Sequence, residues 1–368
     1  MTSQAPIVLS LPPVREWSRA KKLRHKAFAF RRGVKDSVLP WFGMPGKKPF
    51  ATQLREIVDI VVTYRRWPGY YFRYRAYLRE PDRAGELLPP RIIEKMRSRL
   101  NGECDYDIIV DKHRFRVLME QRGFRGIREV FSKYRAGQFV DADGKMLTAA
   151  QAGALLSASE GDLFVKPLGG SLGKGAFVYR HDPAPAFMED DAAWIVQERI
   201  RQHPVLDALH PGSLNTLRIV TTRIGDAPHI EFITLRMGCG GSWIDNADAG
   251  GLAAPVDLAT GIISRTATRR YEHDTAQQQH SVHPDTGARI TGLEIPHYFE
   301  TLDLVRGAAA KLPEFASVGW DIAILPDGPA ILEANGTWGV DIMFRHHIVR
   351  DTLIGRMAHE AFARRGNG

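Results

Sequence analysis

Apolar residues recur at helical spacing over residues 50–66, where Leu54, Ile57, Val58, Val61 and Tyr64 form one stripe. The stripe predicts a helix whose apolar side faces the core. Residues 92–100 predict another helix, and residues 81–90 read as a linker. From about Ile108 the two periods alternate. Asp111-Lys112 opens a helix through Gln121, residues 130–140 predict strands broken near Gly137, and residues 149–157 predict a helix. Residues 217–224 and 229–237 alternate like paired strands. Residues 298–312 predict a helix, and His346-His347 falls in a tail expected to be helical and on the surface.

Residues 317–339 read SVGWDIAILPDGPAILEANGTWG, two short apolar runs divided by Pro326, Asp327, Gly328 and Pro329. That pattern predicts a hairpin with a turn-rich tip. Strand residues alternate faces, so Glu333 and Asn335 point the same way, and antiparallel pairing brings Asp321 beside them. Two acids and an amide are hard oxygen ligands of the kind that hold Mg²⁺ together with substrate phosphates. The competing reading is that Asp321 and Glu333 form buried salt bridges with nearby arginines.

Upstream, Leu163-Phe164-Val165-Lys166-Pro167 precedes Gly169-Gly170-Ser171-Leu172-Gly173-Lys174-Gly175 and then Ala176-Phe177-Val178-Tyr179. The order is strand, glycine-rich loop, strand. Glycines let backbone N–H groups approach phosphate oxygens, and a lysine on the preceding strand adds a point charge. The loop is not a Walker A motif, because Gly175 follows Lys174 and a strand comes next. An ordinary glycine-rich hairpin is the alternative, and Lys166 within an apolar strand argues against it.

The order Asp111-Lys112, Val165-Lys166-Pro167, glycine loop, Val196-Gln197-Glu198-Arg199-Ile200, Arg218, Asp321 and Glu333-Ala334-Asn335 resembles the ATP-grasp superfamily. Gln202-His203-Pro204, Ser213 to Arg218, Asp245-Asn246 with Gly250-Gly251, and Gly319-Trp320-Asp321 narrow the resemblance to the sugar-transfer-associated ATP-grasp family. The resemblance implies an α+β fold in which two α/β subdomains clamp ATP between antiparallel sheets. The expected units are a helical, basic region (1–104), a small subdomain with a glycine-rich lid (105–205) and a large subdomain with the magnesium hairpin (206–368). It also implies that Lys112 and Lys166 contact the ATP phosphates beneath a loop that includes Gly170, Ser171, Gly173, Lys174 and Gly175. Gln197 or Glu198, with Ile200, would meet adenine. Asp321, Glu333 and Asn335 would hold Mg²⁺, and Arg218 would steady the transferring phosphate.

The implied reaction is ligation through an acyl phosphate, joining a small-molecule carboxylate to an amine, thiol or hydroxyl acceptor in cell-surface polysaccharide or natural-product assembly. A kinase of the same fold is the nearest alternative. His203 and His210 lie near these motifs and read as turn or packing residues.

Composition sets the remaining bounds. With 44% hydrophobic and 25% charged residues in 368, the chain is globular, with room for more than one domain. Cys104 and Cys239 read as reduced thiols, which suits the cytoplasm. His273, His280 and His283 lie in a polar stretch where zinc is not expected. The net charge is +8, and Arg15, Arg19, Lys21, Lys22, Arg24, Lys26, Arg31, Arg32 and Lys35 cluster around Trp17, Leu23, Phe28 and Phe30. The cluster admits peripheral contact with an anionic membrane or a solvated basic face. It also leaves a basic nucleic-acid- or lipid-binding protein as the rival class, although no specific nucleic acid is expected.

Overall fold

A computed structural model describes residues 38–65, 67–78, 88–169, 175–180, 185–245, 250–269, 279–341, 347 and 349–363. Outside these residues lie the basic stretch 15–35, most of the expected linker, Gly170, Ser171, Gly173 and Lys174 of the glycine loop, Asn246, His273 and His346.

Two six-stranded antiparallel sheets carry the fold. The first contains β1 (Glu129–Tyr134), β2 (Gln138–Asp141), β3 (Met146–Leu147), β4 (Leu163–Pro167), β5 (Phe177–Tyr179) and β6 (Trp194–Glu198), in the order β3-β2-β1-β6-β4-β5. The second contains β7 (Thr216–Ile224), β8 (Ala227–Met237), β9 (Leu252–Val256), β10 (Thr268–Arg269), β11 (Ser317–Leu325) and β12 (Gly328–Asn335), in the order β10-β9-β8-β7-β11-β12. The α+β class expected from the sequence is therefore present, with a helical part at the N-terminal side. A one-turn break at Arg135–Gly137 separates β1 from β2, where Gly137 suggested it.

Each sheet buries one face under a helix. Phe131, Val165 and Val196 of the first sheet pack with Ala152 and Leu156 of the Ala149–Ala158 helix, whose N-terminus is closed by a Thr148–Gln151 capping box. On the second sheet, Leu217, Ile233 and Trp320 pack with Leu302 and Val305 of the Tyr298–Ala310 helix. The Lys112–Gln121 helix precedes the first sheet in sequence. Its Phe115 and Met119 nevertheless join the core of the second.

Phe232 and Trp338 of the second sheet's side form a further cluster with Tyr71, Tyr77, Leu88, Ile92 and Ile354. This cluster binds the N-terminal helices Phe50–Tyr64 and Pro90–Asn101 and the C-terminal helix Leu353–Ala363 to the body. Asn101 fixes the contact by accepting from Ser317 N (2.7 Å) and donating to Ser317 O (2.9 Å) and Gly336 O (3.1 Å). Arg97 donates to the carbonyl of Trp338. Among the described residues no helix is long and apolar enough to cross a membrane.

Two expectations need correction. The apolar stripe of the Phe50–Tyr64 helix is not all core: Gln53, Ile60 and Tyr64 are buried, whereas Leu54, Val58 and Val61 are exposed. The apolar arc is wider than the surface it meets, and the body covers one edge of it. His347 is also not a surface residue on a helix; it is a half-buried bend whose ring lies 4.9 Å from that of Phe232 and whose Nε2 is 3.2 Å from Thr234 Oγ1.

Candidate active site

A cleft of about 1630 Å³ is lined by residues of both sheets. Lys112, Lys166, Gln197, Glu198, Ile200, Arg218, Asp321, Glu333 and Asn335 all line it. Gly175 stands just beyond β4 with φ +80°, and a Cβ there would lie 3.3 Å from Pro167 Cγ. Glycine suits that turn for both reasons.

The β11–β12 hairpin pairs Asp321 directly with Glu333, with a register shift immediately after, and Gly319 with Asn335. Asn335 Nδ2 donates to Asp321 Oδ2 at 3.5 Å. The three side chains thus gather at one end of the hairpin, and their oxygens are of the type Mg²⁺ takes. Gly319 is required for a different reason. A Cβ on it would come within 2.6 Å of Trp338 Cβ, so no larger residue fits where the chain after β12 crosses β11.

Asp321 also pairs across β7. Arg218 is its register partner, donating from Nε to Oδ1 (2.5 Å) and from a terminal nitrogen to Oδ2 (3.0 Å). A second guanidinium, Arg236 on β8, lies 3.2 Å from Asp321 and 3.4 Å from Asp245, and donates to Thr216 Oγ1 at 2.7 Å. Thr216 in turn donates to Asp245. Burial opposes the charge of Asp321, but Arg218 and Arg236 prevail and hold it well below the usual carboxylate range. Burial pushes Asp245 upward, partly offset by Arg236. Arg236 is itself held more firmly protonated: Asp245 and Asp321 outweigh its desolvation. The arginine pairing that competed with the metal reading is present for Asp321.

The opposite wall carries the lysines. Asp111 caps the Lys112–Gln121 helix, accepting from His113 N (3.0 Å), Arg114 N (3.1 Å) and Tyr134 OH (2.9 Å). This cap fixes Lys112 at the first helical position, with Nζ 3.8 Å from Glu333 Oε2. Lys166 lies on β4, one strand from the sheet edge. Burial, then the charge of Lys112, lowers its ammonium to about 8. Glu129, also lining the cleft, is held by His113 Nδ1 (2.8 Å), Arg116 Nε (2.7 Å) and Ser132 Oγ (2.7 Å).

At the far end, Gln197 is buried on β6, while the Glu198 side chain is half exposed and lies 3.1 Å from Arg128. Ile200 packs in a small cluster with Ile127, Leu214 and Leu332. His203 accepts from Val205 N at the start of a short helix, and His210 bonds Ser213 Oγ at 2.9 Å. Both are turn-stabilising residues, as read from the sequence. His283, by contrast, is fully buried and brings Cys239 and Asp285 within 4.8 Å. The members of this group are also bonded to the protein around them. His283 Nε2 meets Gly238 O (2.9 Å), Nδ1 accepts from Asp285 N (3.3 Å), and Arg269 donates to the Cys239 sulfur.

The sequence reading missed Arg236 and Glu129. Neither stood out as Lys166 did, because each shares its strand with an opposite charge, Arg236 with Glu231 and Glu129 with Lys133.

Residues 184–353 match the sugar-transfer-associated ATP-grasp family. The chain resembles that family. The match to the sugar-transfer-associated ATP-grasp family spans the hairpin residues, Arg218 and Arg236, but not Lys112 or Lys166. No curated protein matches. Among solved structures, the ATP-grasp ligase PsnB, complexed with a phosphomimetic variant of its minimal precursor, Mg and ADP, is similar at 14% identity with a TM-score of 0.39. The match covers 70% of this chain and 58% of that one. Campylobacter jejuni biotin carboxylase is similar at 10% identity (TM-score 0.42), over 70% of this chain and 46% of that one. Helicobacter pylori D-alanine-D-alanine ligase is similar at 11% identity (TM-score 0.39), over 70% and 58%. The chain therefore spans about half the length of these structures.

Proposed function

We propose that this chain is an ATP-dependent ligase that activates a carboxylate as an acyl phosphate, releases ADP, and passes the acyl group to an amine or hydroxyl acceptor. The observation that carries the reading is the placement of Asp321, Glu333 and Asn335 on one hairpin, with Lys112 reaching Glu333 across the cleft at 3.8 Å.

A carboxylate is a poor electrophile, and phosphorylating it creates the leaving group an amide or ester needs. Phosphoryl transfer is chiefly positioning and charge neutralisation. Lys112 and Lys166 supply cationic contacts for the phosphates, and Arg218 and Arg236 stand beside the hairpin to meet charge that develops there. Asp321, Glu333 and Asn335 would hold Mg²⁺, which would supply further neutralisation of charge on the phosphates. Gln197, Glu198 and Ile200 form the adenine end. Closing Gly170, Ser171, Gly173, Lys174 and Gly175 over the nucleotide would keep water from the acyl phosphate. The cleft volume exceeds the roughly 300–1,000 Å³ of a typical small-molecule site, which suits a nucleotide and a second substrate together. The family resemblance favours polysaccharide or natural-product assembly.

The test is a screen of carboxylates and acceptors with Mg²⁺ and ATP, reading ADP against AMP and trapping intermediates with hydroxylamine. ADP with a hydroxamate supports the ligase. ADP with a phosphorylated alcohol assigns a kinase instead, and AMP overturns the acyl-phosphate route.

A further inference from the structure

Just past the end of β8, Cys239 meets His283 and Asp285, one donor atom of each lying within 4.8 Å of the others. His210 stands beside them, its Nε2 3.5 Å from Asp285 Oδ2 and its ring 5.2 Å from that of His283. Cys239, His210 and His283 are buried, whereas Asp285 is exposed. None of the four lines the cleft.

The bonds around the two rings decide which nitrogens carry protons. His283 Nε2 faces Gly238 O at 2.9 Å, and a carbonyl only accepts, so the lone pair is on Nδ1, where Asp285 N makes a long 3.3 Å contact. Asn215 Nδ2 donates to Leu206 O (2.8 Å) and His210 O (3.1 Å), which leaves its Oδ1 to accept the Ser213 hydroxyl at 3.0 Å. With that hydrogen spent, Ser213 Oγ accepts from His210 Nδ1 at 2.9 Å. The remaining nitrogen of His210 therefore faces a carboxylate oxygen lone pair to lone pair. Two acceptors so close repel each other unless a proton or a metal ion lies between them.

The rest of the cluster favours the metal. Arg269 donates to the Cys239 sulfur, and a guanidinium there favours the thiolate, the form that ligates. Imidazoles with one nitrogen held by a carbonyl or a hydroxyl are oriented as metal-binding histidines are. One sulfur, two imidazoles and one carboxylate suit Zn²⁺, unlike the oxygen set of the hairpin. The donors of a tetrahedral zinc ion stand about 3.5 Å apart, so closing the cluster takes shifts on the order of 1 Å. Cys239 Sγ already lies 3.8 Å from Asp285 Oδ1. The polar stretch around His283 does not predict zinc by itself, because the sulfur and the second imidazole come from segments distant in the chain.

We propose that Cys239, His283 and Asp285 hold a structural Zn²⁺, with His210 as the fourth ligand. Binding releases the thiol proton to solvent. The ion ties the turn after β8 and the 283–285 segment to the loop of His210 and Ser213, and Ser213 lines the cleft. The inference is independent of the ligase reading, since no proposed ligand is a cleft residue.

The test uses the full chain purified without chelator. Elemental analysis should find one zinc ion per chain, and chelation should lower the melting temperature by several degrees, restored by zinc and not by magnesium. Exchange for Co²⁺ should give a thiolate-to-cobalt charge-transfer band that Cys104→Ser keeps and Cys239→Ser loses. Asp285→Asn, at an exposed position, should weaken zinc binding about tenfold or more in a competition titration. Absence of the band in the folded wild-type chain overturns the proposal, as does a band that survives Cys239→Ser or unchanged zinc affinity in Asp285→Asn. A melt insensitive to zinc leaves His210 and Asp285 as an ion pair only and also overturns it.

Discussion

Arg218 and Asp321 are register partners on adjacent strands, and the guanidinium grips both carboxylate oxygens, at 2.5 and 3.0 Å. A fork of this kind holds position as well as charge, which a lysine does not reproduce. Arg218→Lys should therefore retain the fold but lower ATP turnover on the order of a hundredfold, as loss of one preorganised electrostatic contact does. Steady-state ADP release, compared with the thermal melt, checks this. Equal turnover would remove Arg218 from the site.

Asp321→Asn separates the arginine pairing of that carboxylate from the magnesium role proposed for it. The variant keeps its size but leaves Arg218 and Arg236 without their shared anion, so stability should fall by about 3 kcal/mol. Magnesium should also cease to strengthen ADP binding. Calorimetric titration with and without Mg²⁺ reads the second effect apart from the first. If magnesium still tightens ADP binding, the hairpin is a salt-bridge site only.

Lys166 gives the pH dependence. Its folded value of about 8 lies below that of an unfolded lysine, so the unfolded chain binds more protons between the two and stability rises with pH through that window. Nucleotide binding runs the other way. Phosphates favour the ammonium, so affinity should be steady below about pH 7 and fall by up to tenfold per unit above about pH 8. Lys166→Met should flatten that profile, raise the melting temperature of the nucleotide-free protein and abolish turnover. ADP affinity measured across the range decides it; an unchanged slope in the variant assigns the titration elsewhere.

Asp111→Ala removes the cap that seats Lys112. The loss should be about 1–2 kcal/mol of stability. KM for ATP should rise more than kcat falls, since the lysine itself remains. A variant with unchanged KM would show that Lys112 does not depend on the cap.

Local patterns carried much of the architecture and little of the wiring between strands. The hairpin of Asp321 and Glu333 was readable because its two apolar runs and turn lie within twenty residues, and alternation fixes faces. Lys112 at a helix start and the break near Gly137 were readable for the same reason. Arg236 was not, because its place beside Asp321 depends on β7 lying between β8 and β11, a long-range order that periodicity does not encode. Nor was the meeting of Cys239 with His283, which joins segments 44 residues apart. The Phe50–Tyr64 helix failed in the opposite way: its period was right, but period alone does not say how much of an apolar arc a neighbour will cover.

Asn101 holds both ends of the strand pair that carries Asp321 and Asn335, bonding Ser317 at the entry and Gly336 at the exit. A genetic screen for lost activity would consequently recover changes at Asn101 alongside those in the cleft, although its side chain does not line it. Mapping such alleles would outline a reaction centre larger than the reactants it encloses.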